Sequence, residues 1–122
     1  MDFDEAVATH SKWKRKLREH IRHNSSLNPV EVALDDACEL GRWIYGEGAK
    51  YSSLPEYVKL KYEHARFHQV ASDLVRKANA GDSIAEELAP CSNSEFSTAS
   101  SAIIMALMSM KKRVSKAKAA GA

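Results

Sequence analysis

LPEYVKLKYEHARFHQVASDLVRKANA, residues Leu54–Ala80, places Tyr57, Leu60, His64, Phe67 or His68, Ala71, Leu74 and Ala78 at steps of three and four. That spacing is one apolar stripe of an amphipathic helix. Ser53 as cap, Glu56 three residues on and Pro55 in the first turn mark its start, and Gly81 can close it. Inside the stripe, His64 and His68 stand four apart, one turn above the other, with Cβ atoms about 5–6 Å apart. Both rings can therefore turn toward one point, which raises the question of a bound metal ion. Ala65 leaves room for a neighbouring helix, and Phe67 can pack beside that point.

The segments on either side carry the same period. Before the histidine helix, Phe3, Val7, His10, Trp13, Leu17 and Ile21 form a stripe that puts His10 in the core face. A core histidine must find partners for both ring nitrogens. His20 and His23 lie near the end of this helix, where solvated rings are easily accommodated, and carry no role. Asn24 to Pro29 is turn-rich, and a short helical piece can begin at Pro29. A second helix is expected from about Asp35 to Gly46, carrying Cys38, Leu40, Gly41, Trp43 and Ile44. Glycine inside a helix costs about 1 kcal/mol relative to alanine, so Gly41 implies either close approach of a backbone or of a ring such as Trp13, or a turn that breaks the helix there. After Gly81, a short piece Ile84–Leu88 ends at Pro90. Ser92 and Glu95 offer another capping box before a last stripe of Phe96, Ala99, Ile103, Leu107, Met110 and Val114, widened by Ile104 and Met108. No strand-length alternation appears. The expected fold is all-α, an antiparallel four-helix bundle with short extra helical turns in the connectors.

Composition excludes several classes of function. A chain of 122 residues with 44% hydrophobic content suits one domain, residues 1–122, with one core. Its longest apolar run, Ala102–Met108, is far below the roughly 20 residues needed to cross a bilayer. The acidic start, Met1-Asp2-Phe3-Asp4-Glu5, is unlike a signal peptide, so the expectation is a soluble, cytoplasmic protein with no membrane partner. A net charge of +2 argues for no nucleic-acid partner. The basic clusters Lys12 to Arg18 and Lys111 to Lys118 read as solvated faces, the second favoured at a helix carboxyl end. Two cysteines, Cys38 and Cys91, make no disulfide framework, and Cys91 reads as a passive thiol. No paired general acid and base, glycine-rich phosphate loop or nucleophile motif is present, so no enzyme is expected.

Four potential ligands lie on three segments: His10, Cys38, His64 and His68. Imidazole nitrogen and thiolate sulfur are zinc's preferred donors, about 2.0–2.1 Å and 2.3 Å from the ion. Asp35, one turn before Cys38, is a candidate acceptor for a ring N–H. Four protein ligands would fill a tetrahedral ion and leave no place for a hydrolytic water, so the site reads as structural or sensory. Spacing alone leaves a second reading open. A metal-free helical protein-interaction module would satisfy each ring with side-chain or backbone partners and simply pack Cys38.

The blocks His10-x-x-Trp13-Lys14-x-x-Leu17, Cys38-x-Leu40-Gly41-x-Trp43 and His64-x-x-Phe67-His68 together resemble the CZB family, the chemoreceptor zinc-binding domains of bacteria. The resemblance implies a four-helix bundle with one zinc held by His10, Cys38, His64 and His68, and Trp13, Gly41 and Trp43 packing around it. It further implies a regulatory module of a chemoreceptor or a diguanylate cyclase, often a homodimer, acting on chemotaxis or cyclic-di-GMP output. The stimulus would be zinc itself or an oxidant such as hypochlorous acid attacking the Cys38 thiolate. Neither a methyl-accepting helix nor a cyclase domain accompanies the module in this chain. Action through a partner, or excision from a longer chain, is then expected.

Overall fold

A computed structural model describes residues 1–22, 27–84 and 94–120, the last four by backbone alone. Helix α1 is Phe3–Arg22, α2 Pro29–Val32, α3 Glu39–Tyr45, α4 Pro55–Asn79 and α5 Glu95–Ala120, with a 3₁₀ turn Glu47–Tyr51 between α3 and α4. The described residues are all-helical, as their periods dictate. His23, Cys91, the pair Ser92-Asn93 and nearly all of the short piece expected at Ile84–Leu88 fall outside them.

Each long helix buries part of the stripe its spacing marks. In α1, His10, Leu17 and Ile21 are buried, joined by Ala6, while Phe3, Val7 and Trp13 are half-buried; in α4, Tyr57, Leu60, His64, Phe67, His68, Ala71 and Leu74 are buried, joined by Ser72 and Val75, with Ala78 half-buried. In α5, Phe96, Ala99, Ile103, Leu107 and Met110 are buried, whereas Met108 is exposed and does not widen the stripe. Ala65 is exposed too, so no described helix packs over it.

Caps differ from expectation in instructive ways. The residue before α4 is Leu54, with no side-chain cap, rather than Ser53. Pro55 at the first helical position has no N–H to satisfy, which lowers the need for one. Gly81 closes the helix as expected, at φ +87°, a conformation that costs glycine nothing. Ser94 caps α5, its Oγ accepting from the Ser97 N–H at 3.2 Å. The expected helix from Asp35 begins only at Glu39, and Cys38 is its cap.

Helices α4 and α5 run antiparallel: Phe67 stacks on Phe96 at 5.1 Å near one end, and Glu56 pairs with Arg113 near the other. Lys111 of α5 reaches Asp4 of α1 at 2.9 Å. Part of the carboxyl-terminal basic cluster is thus paired with acidic amino ends of two other helices. Solvent screens such exposed pairs, so they set register more than stability.

The short elements are strapped onto α4 by polar side chains. Ser72 Oγ donates to the Pro29 carbonyl at 2.7 Å and Asn79 Nδ2 to the Leu27 carbonyl at 3.0 Å. Tyr57 Oη donates to the Ile44 carbonyl at 2.7 Å, fixing the end of α3. These anchors bring the turn between α2 and α3, and Cys38 with it, against the middle of α4.

Candidate metal centre

Cys38 stands in extended conformation at the amino end of α3, its Sγ accepting from the Gly41 N–H at 3.2 Å. Arg42 donates to the Ala37 carbonyl at 2.8 Å, folding the turn back on the helix. Gly41 makes this possible. A Cβ there would lie 1.8 Å from the Asp35 carbonyl oxygen, so a backbone, and not the Trp13 ring, explains this glycine. Gly41→Ala must push residues 35–38 away. It is expected to cost about 1–3 kcal/mol, the usual range for overpacking, and to weaken metal binding, read from urea denaturation and zinc titration. Wild-type values for both would remove the role given to this contact.

His64 and His68 present their Nε2 atoms to the sulfur at 3.3 Å and 3.4 Å. The three donor atoms lie within 4.8 Å of one another. Donors on a tetrahedral zinc with these bond lengths are about 3.5 Å apart, so the chain holds them close to the separation an ion requires. His68 Nδ1 donates to the Val32 carbonyl at 2.9 Å. That bond fixes the tautomer and aims the Nε2 lone pair at the site, the usual arrangement behind a ligating histidine. Asp35, expected as the acceptor, instead accepts from Tyr45 Oη at 2.5 Å.

His64 Nδ1 is buried with no hydrogen-bond partner among the described residues. An unpaired buried polar atom costs about 1–3 kcal/mol, which a strong bond at the other nitrogen would offset. The metal-free reading needs every ring satisfied, and among the described residues His64 Nδ1 is not. Donor chemistry and spacing fit zinc.

His10 lines the same cavity and is buried, but the structure does not gather it with the other three donors. Its Nε2 shares a 2.9 Å hydrogen bond with Ser100 Oγ of α5. Phe67 sits beneath the site, edge-on to His10 at 4.7 Å, and Trp13 lies 4.6 Å from the His68 ring. Sequence reasoning missed Ser100, a hydroxyl three residues from Ile103 on a buried face, which was the available signal. It also missed the Val32 carbonyl, for which no side chain could have spoken.

Burial governs protonation here. Desolvation, helped by Lys14 and His68, pushes His10 down to about 3, and desolvation with the neighbouring rings does the same to His64. Desolvation also lowers His68, against the Val32 hydrogen bond. The imidazoles are therefore neutral, as ligands must be. Burial pushes the Cys38 thiol up, opposed by the N–H groups of α3. Without a cation it stays a thiol.

A helical scaffold that converges one sulfur and two ring nitrogens defines a small metal-binding module. The family model of the chemoreceptor zinc-binding domain, CZB, matches residues 10–75, more than half of the chain. The chain belongs to this family, and its cofactor is zinc. No curated protein and no solved structure matches it. No described helix is long and apolar enough to cross a membrane.

Proposed function

We propose that the chain is a zinc-dependent regulatory module of bacterial signalling, with no enzymatic activity of its own. The observation that carries this is the approach of Cys38 Sγ to two Nε2 atoms at 3.3 Å and 3.4 Å. Cys38, His64 and His68 hold the ion, and His10 is the fourth donor, giving up its bond to Ser100 to take part. The domain spans residues 1–122, because α5 supplies Ser100 and the Phe96 ring beneath the site.

Zinc, when bound, supplies a cross-link between the Cys38 turn and α4 and keeps the thiol deprotonated. Everything else is done by the chain. The turn at residues 33–38 is tied to α3 by Gly41, Arg42 and Tyr45 and meets α4 through the sulfur. Loss of the sulfur's grip, through zinc withdrawal or oxidation of Cys38 by an oxidant such as hypochlorous acid, frees this turn relative to α4. The change is passed to chemotaxis or cyclic-di-GMP output, through a fused chemoreceptor or diguanylate cyclase or a separate partner, in the cytoplasm. Homodimer formation is supported by Val58, Tyr62 and Met105, each at least 60% exposed on the two longest helices.

Metal analysis of untagged protein tests this reading. One zinc per chain is expected, and metal-free material would exclude it. His10→Ala should weaken zinc by about tenfold to a hundredfold, a donor's share less the Ser100 bond the ring gives up, while leaving helicity unchanged. Wild-type affinity in that variant would assign His10 to Ser100 alone.

A further inference from the structure

The cavity that His10, Cys38, His64 and His68 line also has a rim that zinc binding does not use. It encloses about 240 Å³, roughly eight times the volume share of one water molecule, and the half-buried Cys38 lies on its wall. Thr9, Lys12, Trp13 and Lys16 of α1 border it, and their spacing puts them on one helix face. Lys12 and Lys16 are exposed and have no hydrogen-bond or ion-pair partner among the described residues. Exposed Glu39, next to Cys38, also borders it, and Trp13 and Leu40 add apolar wall. Two ammonium groups, one carboxylate, apolar side chains and a sulfur on the wall complement a molecule bearing carboxylates, an ammonium group and a carbon–sulfur chain. A hypochlorite-sized oxidant needs neither this room nor this charge pattern.

We propose that the cavity docks small disulfides of amino-acid-derived thiols and that Cys38 is the residue they modify. The inference rests on the reading of Cys38 as a metal-held thiolate. In the step, the Cys38 sulfur attacks one sulfur of the docked disulfide, a new S–S bond forms to Cys38, and the old S–S bond breaks. The departing thiolate carries away that bond's electron pair, so no other oxidant is consumed. Capped in this way, Cys38 is no longer an anionic donor, and the centre loses its sulfur. Lys12 and Lys16 hold the carboxylates and raise the local concentration of anions, an effect that salt screens.

The test uses the zinc-loaded chain and two probes, glutathione disulfide and the uncharged 2-hydroxyethyl disulfide. Peptide mass mapping reads Cys38 and Cys91 separately, and a chromogenic chelator follows zinc release. The ratio of the two rates at Cys38 should fall about tenfold when Lys12→Gln and Lys16→Gln are combined, through the glutathione disulfide rate alone. A ratio that ignores the lysines, or adducts confined to Cys91, overturns the proposal. Because mapping reads the sulfur directly, lysine-dependent adducts at Cys38 in protein that carries no zinc defeat the metal reading and keep the docking. Zinc held normally and released by hypochlorous acid, with Cys38 unmodified by either disulfide, defeats only the docking.

Discussion

Cys38→Ser is expected to weaken zinc binding by about two to three orders of magnitude, and His68→Ala by a similar factor. Structural zinc in small domains is worth about 10–16 kcal/mol of apparent binding free energy. Shared among the four proposed donors, that is roughly 3 kcal/mol each, or more than a hundredfold in affinity. The serine oxygen is a poorer zinc donor than thiolate and sits on a shorter bond. His68→Ala removes a nitrogen and also leaves the Val32 carbonyl without the N–H it accepts from. Competition against a chromogenic chelator measures both variants. His20, exposed near the far end of α1, is the control, and His20→Ala should bind as wild type. A change under tenfold in Cys38→Ser would mean that the sulfur is packed beside the rings without holding an ion.

Acidifying the metal-free protein from pH 7 to pH 5 is expected to remove about 2 kcal/mol of stability for each of His10 and His64. In the unfolded chain these rings take up protons near pH 6.5, while in the fold burial keeps them neutral until about pH 3. The unfolded state therefore binds more protons below pH 6.5. The contribution is complete above that pH and is lost progressively as pH falls toward 3. His68, lowered in the same direction, adds to the loss. Against a total stability of about 5–15 kcal/mol, a combined loss near 4 kcal/mol is large. Urea midpoints measured with a chelator present, at pH 7 and pH 5, read it directly. A midpoint that does not move would show that water reaches the rings and that the buried donor cluster is not maintained without metal.

Much of this was legible before any tertiary structure. The steps of three and four in α1, α4 and α5 anticipate which side chains are buried, because a helix face is set by local geometry. Donor chemistry singles out His10, Cys38, His64 and His68 because few other side chains bind zinc. Boundaries were less legible. The start of α3 moved from Asp35 to Glu39 because the Cys38 sulfur takes the Gly41 N–H and caps the helix there. Met108 was placed in the stripe by period, yet the α5 contact covers only the narrower face through Ile103, Leu107 and Met110.

The amino-acid sequence by itself determined an all-helical chain, the faces its long helices bury and the residue types able to hold zinc. All three follow from spacing along the backbone and from side-chain chemistry. Only the tertiary structure decided that one sulfur and two nitrogens meet, that His10 turns to Ser100, and that carbonyls of Val32 and Asp35 support His68 and close on Gly41. Those outcomes depend on how helices far apart in the chain pack. Two of them are made by main-chain oxygens, which every residue carries and which no sequence pattern distinguishes.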